Sequence, residues 1–489
     1  MAIGLILAAA VAQASPGPAA VSPCTANVST ATSGQAGGQS TSSYSLACFA
    51  ASNPTTALDM VGLLPGFSFD KGDSVRGFGG AAGNVLIDGA RPASKGDPLD
   101  EIIKRIPASQ VLRIDVIRGG GPGIDMQGKT VIANIVRRQD GGFKLVAQSG
   151  WTFNEDGRVA PGLRLEASRR AGDLAVEGAL LIGAGVDDGV GDGPRVLRNA
   201  GGIVDSGREI GRGDAVTYKL TGAAERPLAG GRLKLDGTIS INPYNATMVD
   251  NFTGLNGRQV EHDHQDQNTY EIGLRYERPL TARITSETFL LQQFGLNNFD
   301  ERLVGPTVDE LFVLDKTTRE SIARSTLKYS ASDTLSFEAG GEGAYNWLRS
   351  RTIFAESGVP IALPAANVQV TEKRGEPFAT ATWRARPTLT LESGIRAEAS
   401  SIASTGDVTT SRTLFYPKPR AVLSWSPDAA DQVRVRVERE IGQLNFDNFT
   451  VSAATLGGGS VHGGNPNLNP QQAWVVEVAY DRRFWGPPR

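Results

Sequence analysis

From residue 143 onward, apolar and polar residues alternate with a period of two. Val433, Val435 and Val437 are interleaved with Arg434, Arg436 and Glu438, and Tyr270, Ile272, Leu274 and Tyr276 with Glu271, Gly273, Arg275 and Glu277. Leu233, Leu235, Ile239 and Ile241 share a face opposite Arg232, Lys234, Asp236, Thr238 and Ser240. Successive side chains of a strand point to opposite sides, so each run predicts a strand with one apolar and one charged face. The pattern places strands near 143–152, 162–170, 172–183, 214–226, 231–242, 268–278, 281–295, 319–331, 333–346, 375–386, 388–400, 414–426, 431–441 and 472–485. From the third strand on, long links at 184–213, 243–267, 296–318, 347–374, 401–413 and 442–471 alternate with short ones at Pro227 to Gly230, Pro279-Leu280, Ser332, Pro387 and Pro427 to Ala430. In a soluble sandwich the apolar faces would meet a second sheet; in an outer-membrane barrel they would meet lipid, with the charged faces lining a wet interior. A sandwich has no reason to keep the parity of its links, whereas a barrel has short periplasmic turns and long extracellular loops.

Upstream the pattern changes. Val85 to Asp88 is an apolar run meeting Asp88-Gly89, a pair suited to positive φ and hence to a tight hairpin turn. Leu99, Ile102, Ile103 and Ile106 recur at helical spacing until Pro107, which predicts a short amphipathic helix. Val111 to Ile117 reads as a strand feeding the glycine run Gly119-Gly120-Gly121-Pro122-Gly123. On local pattern alone this is a small α/β unit of no stated function.

Five separated motifs give that unit a meaning. LPGF at Leu64 to Phe67, RGFGG at Arg76 to Gly80, VLIDGARP at Val85 to Pro92, IPASQVLRIDVIRGG at Ile106 to Gly120 and VIANIVRR at Val131 to Arg138 follow one another in an order and spacing that resemble the plug domain of TonB-dependent outer-membrane receptors. The motif positions singled out are Pro65, Gly66, Gly77, Asp88, Gly89 and Gly119. The expected fold class is therefore membrane all-β, an antiparallel transmembrane β-barrel, here incomplete, with a small N-terminal α/β plug. The expected organisation is a signal peptide at 1–14, a flexible periplasmic leader at 15–58, the plug at 59–140 and a partial barrel at 141–489.

Met1 to Ala14 is almost wholly apolar and ends in an A-x-A-like site, although no Lys or Arg precedes Lys71. Ser15 to Ser43 is rich in Ser, Thr, Gly and Ala, without charge or periodicity, as a tether is. The resembled family carries its energy-coupling box here, pairing with TonB by strand addition, and Thr25 to Ser29 is the candidate. An unstructured leader with no partner is the competing reading. Cys24 and Cys48 are the only cysteines, and both one disulfide and two unpaired residues remain open in an oxidising periplasm.

Composition adds little: 40% hydrophobic residues, 59 Gly and a net charge of -3, with no apolar run long enough for a helical span. So small a charge argues against nucleic acid, which demands a concentrated basic surface. Alternation yields about fourteen strands, fewer than the roughly 22 of the plugged transporters. The chain ends at Trp485-Gly486-Pro487-Pro488-Arg489, where a periplasmic turn would sit, and GGNPNLNPQQAW at Gly463 to Trp474 resembles a motif found well inside family barrels. The chain therefore reads as a fragment.

The resemblance implies binding of a scarce nutrient, of the iron-siderophore, cobalamin or saccharide class, at the extracellular loops of a bacterial outer-membrane receptor. It implies import through the plugged barrel, driven by proton-motive force relayed by the TonB-ExbB-ExbD complex. The implied partners are that complex, outer-membrane lipid and a small-molecule ligand, with no cofactor. Arg76 and Arg118 match two family arginines that hold the plug against barrel glutamates, since a buried guanidinium demands a carboxylate partner. The candidates by parity are Glu271, Glu392, Glu438 and Glu477, with Glu438 and Glu477 preferred. The competing reading leaves both arginines on solvated strand ends. No ligand-binding residue is identified. His262 and His264, with Asp263 and Asp266, fall in an expected loop and read as incidental rather than as a metal site. Phe299, Phe312 and Phe354 are open to stacking on a sugar or to packing their own loops. With three His, all in expected loops, no catalytic arrangement presents itself and an enzyme is not expected. The alternatives kept are a non-transporting binding protein or adhesin and an inactive truncated receptor.

Overall fold

The structure, a computed structural model, describes residues 40–72, 83–92, 94–118, 129, 131–138, 142–189, 191–427, 431–450, 452–454, 460–462, 465 and 468–482. The expected signal peptide, the candidate coupling box, Cys24, Arg76, Gly77 and Gly119 lie outside these residues.

The N-terminal unit is a mixed four-stranded sheet in the order β1-β3-β4-β2, built from β1 (Ser40–Ser45), β2 (Val85–Ile87), β3 (Val111–Arg118) and β4 (Val131–Arg137). Two one-and-a-half-turn helices, α1 (Ala57–Gly62) and α2 (Leu99–Lys104), cover it. The apolar spacing that predicts α2 buries Leu99, Ile102, Ile103 and Ile106 against Val111, Ile114 and Val116 of β3. Asp88 and Gly89 both have positive φ, 51° and 81°, as the predicted tight turn requires. The hairpin itself is vestigial: Ile87 and Ala90 form a single bridge, and β2 instead pairs in parallel with β4. Residues 40–58, expected to belong to the flexible leader, are folded. β1 pairs antiparallel with β3, Tyr44 and Phe49 are buried in the plug core, and Cys48 is disulfide-bonded. Composition hid this, because two aromatics anchor a segment otherwise rich in small and polar residues.

The second unit is one 16-stranded sheet. Its strands are β5 (Gly142–Phe153), β6 (Val159–Ala171), β7 (Leu174–Val186), β8 (Asp192–Asn199), β9 (Gly202–Leu228), β10 (Gly231–Phe252), β11 (Arg258–Pro279), β12 (Ile284–Val304), β13 (Asp309–Ser330), β14 (Leu335–Glu356), β15 (Val359–Pro360), β16 (Asn367–Arg386), β17 (Leu389–Gly406), β18 (Thr410–Trp425), β19 (Asp431–Ile441) and β22 (Gln472–Arg482). β20 (Ser452–Ala454) and β21 (Ser460–His462) form a separate two-stranded pair. β8 and β15 hang off β9 and β14; the other fourteen run in chain order, each antiparallel to the next. These are the fourteen strands that alternation places.

Their lengths were underestimated. The expected long link at 243–267 is mostly ladder, since β10 reaches Phe252 and β11 begins at Arg258. Residues such as His262 to Asn268 are polar on both faces, so alternation stops while backbone pairing continues. At roughly 3.3 Å per residue and a tilt near 40°, the 22 residues of β11 rise about 55 Å, twice the apolar band of about 25 Å. Lipid therefore covers only the end near the short turns. Tyr329 stacks on Phe337 there, with ring centroids 6.4 Å apart, and Trp383, Trp425 and Tyr480 lie at the same rim. Such an aromatic belt marks the membrane–water boundary.

Candidate functional site

The plug unit sits against the inward face of the barrel wall, and the contact between them is polar. Glu271 of β11 is buried among plug donors. Its carboxylate accepts from Ser94 Oγ (2.5 Å), from the backbone N–H of Lys95 (2.9 Å) and of Gly96 (2.8 Å), and from Gln293 Nε2 of the wall (3.0 Å). A Cβ on Gly96 would stand 3.4 Å from this carboxylate. The next residue along reaches a second wall strand, as Lys95 Nζ pairs with Glu320 of β13 at 2.6 Å. On the other side of α2, Arg164 of β6 bonds Glu101 at 2.9 Å, and Lys219 of β9 approaches Asp97 at 3.4 Å. Asp97 is also paired with Arg105.

Arg137, at the end of β4, ties the same surface together. Its Nε bonds Asp88 of the turn at 2.8 Å, while its terminal nitrogens face Glu177 (3.9 Å) and Glu225 (3.6 Å) of the wall. Burial works against its charge, but these acids outweigh that and raise its pKa. The plug is thus seated by charge-assisted hydrogen bonds.

The family comparison follows from this architecture of a plugged β-wall. A family model described as TonB dependent receptor-like, beta-barrel, matches residues 205–489, more than half of the chain. The chain belongs to the TonB-dependent receptors. It is thus an outer-membrane receptor of a transport family. Solved structures similar to it include the siderophore receptor PiuA from Acinetobacter baumannii (13% identity, TM-score 0.46, 91% of this chain and 70% of that one). Others are BauA, the ferric preacinetobactin receptor of the same organism (11%, 0.47, 91% and 68%), and Fiu, the ferric-catecholate import receptor from K12 E. coli (12%, 0.48, 91% and 71%). No curated protein matches the sequence.

In this TonB-dependent receptor the sequence-predicted residues separate into groups. Among the described residues, Glu271 meets the plug through Ser94 and two backbone amides. Arg118 donates to Pro65 O at 3.0 Å and to Ser42 Oγ at 3.4 Å, both within the plug, and so braces the turn in which Gly66 has φ 63°. The described partners of Glu438 are Arg420 and Arg436, that of Glu477 is Arg436, and Glu392 faces Arg420; all are wall residues. His262 and His264 lie on β11, not in a loop, with their rings bonded to Thr247 and Asn245. Phe299 packs against Phe312 at 6.0 Å, and Phe312 pairs across the ladder with Phe354, so these aromatics pack the wall.

Sequence reasoning set Asp263 aside with the histidines and missed Glu261 and Glu301. Glu261 and Asp263 share the parity of Glu271 and point inward, where with Glu301 of β12 they form a buried carboxylate cluster. It lies about 45 Å above the short-turn rim, beyond the lipid band. Burial, and then the neighbouring acids, push Glu261 and Glu301 up to about 8 and Asp263 to about 6.

Proposed function

We propose that this receptor binds a scarce nutrient complex at its extracellular end and imports it through the plugged barrel, driven by the TonB-ExbB-ExbD complex. The observation that carries this reading is the seating of the plug on Glu271. A plug packed on the wall by an apolar core would be a permanent stopper, whereas one held by a few polar contacts around Ser94 to Gly96 can be displaced by a pull and can reseat. In this reading Arg118 keeps the Pro65-Gly66 turn intact, and Glu271 and Glu320 are the contact that yields. Family membership supports the transport role, and the siderophore receptors among similar structures make ferric siderophores the first substrates to try.

The test is uptake of radiolabelled ferric siderophores by outer-membrane-competent cells expressing the chain, with and without TonB and with and without a protonophore. Accumulation that requires both TonB and the proton gradient supports the proposal. Surface binding without accumulation would leave a binding protein and overturn import.

A further inference from the structure

Glu261, Asp263 and Glu301 place three carboxylate oxygens within 4.8 Å of one another. Their residues are 5%, 5% and 4% exposed. Asp263 stands directly opposite Glu301 in the β11–β12 register, an arrangement of like charges that destabilises a sheet unless something neutralises it. Met248 lies across the ladder from Glu261 and Phe312 from Glu301, and both are buried. The nearby guanidinium, Arg195, is engaged by Glu209 and Asp250.

A separate observation points to a missing ligand. Glu261 Oε1 and Asp263 Oδ1 are buried without any hydrogen-bond donor, and so is Oδ1 of Asp250, one same-face step along the ladder from Glu261 and 6% exposed. Buried acceptors are rarely left so, because each orphan forfeits its hydration for nothing. Strand parity also dictates the chemistry. His262 falls between Glu261 and Asp263 and therefore points to the opposite face, so the cluster offers oxygen only. Oxygen donors suit hard cations, and the spacing matches ligands gathered around an ion at about 2.3–2.6 Å.

We propose that Glu261, Asp263 and Glu301, with Asp250 beside them, form a calcium-class divalent-cation site at the extracellular end of the lumen. The ion would clamp β11 to β12 where the wall projects beyond lipid. This inference stands whether or not the receptor imports a nutrient.

The experiment is calorimetric titration of Ca2+ into the full chain, purified in detergent and stripped with chelator, followed by thermal melting with and without the ion. Saturable binding is expected, with a dissociation constant of about 10⁻⁴ to 10⁻³ M or tighter. E261Q and D263N should each weaken it at least tenfold, whereas E155Q, at an exposed position elsewhere, should not. Both amide variants relieve repulsion while keeping side-chain shape, so in chelator they should melt above the wild type, and Ca2+ should raise the wild-type midpoint but not theirs. Absence of saturable binding, retention of it by both amide variants, or tighter binding of Mg2+ than of Ca2+ would overturn the assignment.

Discussion

At Glu271 one side chain answers three plug donors, and its removal has a larger expected cost than that of any single surface ion pair. Hydrogen bonds to a charged group contribute roughly 1.5–3 kcal/mol, and an Ala would leave the Ser94 hydroxyl and the Lys95 and Gly96 amides without their acceptor. E271A should therefore speed amide exchange at Lys95 and Gly96 at least tenfold, whereas E271Q, which keeps an acceptor oxygen, should do so less. Unchanged exchange in E271A would show that the latch lies elsewhere. A second residue-scale case is the capping box of α1, in which Asp59 N donates to Thr56 Oγ1 and Thr56 N to Asp59 Oδ2. T56A should cost the plug roughly 1 kcal/mol in a denaturant titration. Burial pushes the Asp59 carboxyl up, but hydrogen bonds from Thr55 and Thr56 outweigh it and leave its pKa below 3.8. A depressed carboxylate stabilises the fold above its unfolded value and loses that contribution as pH falls through the folded one. The T56A deficit should thus hold at pH 7 and shrink only below about pH 4. The sequence placed Glu271 among four inward candidate acids but could not choose it: it shares its parity with Glu261, Arg275 and Glu277, and nothing local says which inward acid the plug will meet.

At the scale of the strand, alternation carried most of the information, because lipid imposes a strict rule on one face. Ile272, 60% exposed on the outer face, obeys it; I272K should cost about 2–4 kcal/mol of folding stability in lipid vesicles. H264K shares that face but lies near the far end of β11, where water replaces lipid, and should fold within experimental error of the wild type. Equal penalties at the two positions would contradict the placement of the apolar band. The same rule explains where reading failed. Above the band neither face is obliged to be apolar, so β10 and β11 looked like a loop from Pro243 to Gln267 although they pair residue by residue from Asn245↔His264 to Asn251↔Arg258. Continuing the parity of Glu271 upward through Asp263 and Glu261 would have shown three acids on one face, a signal obscured by the more conspicuous histidines between them. In the leader, Tyr44 and Phe49 were the overlooked cue, since two buried aromatics suffice to hold a Ser-rich strand on β3.

At the scale of the whole molecule, two kinds of cohesion coexist. The plug has its own apolar cluster, from Tyr44 to Ile135, that includes no wall residue among the described ones. The wall is held by its continuous ladder and by lipid. Between them lie Glu271 with its three donors and the ion pairs Lys95–Glu320, Arg164–Glu101 and Arg137–Glu225. Two bodies joined by polar contacts in a wet lumen are expected to unfold separately, and the sequence supplies the probes to see it. All six tryptophans occur at Trp151 or later, so their fluorescence reports the wall alone, while amide exchange in β3 reports the plug. In a urea titration of the detergent-solubilised chain, β3 should lose protection at a lower midpoint than the tryptophan transition. Raising salt to 1 M shortens the screening length to about 3 Å and should lower the plug midpoint further without moving that of the wall. Coincident midpoints at both salt concentrations would mean that plug and wall are one cooperative body, and a pull on the plug could then not release it without unfolding the barrel.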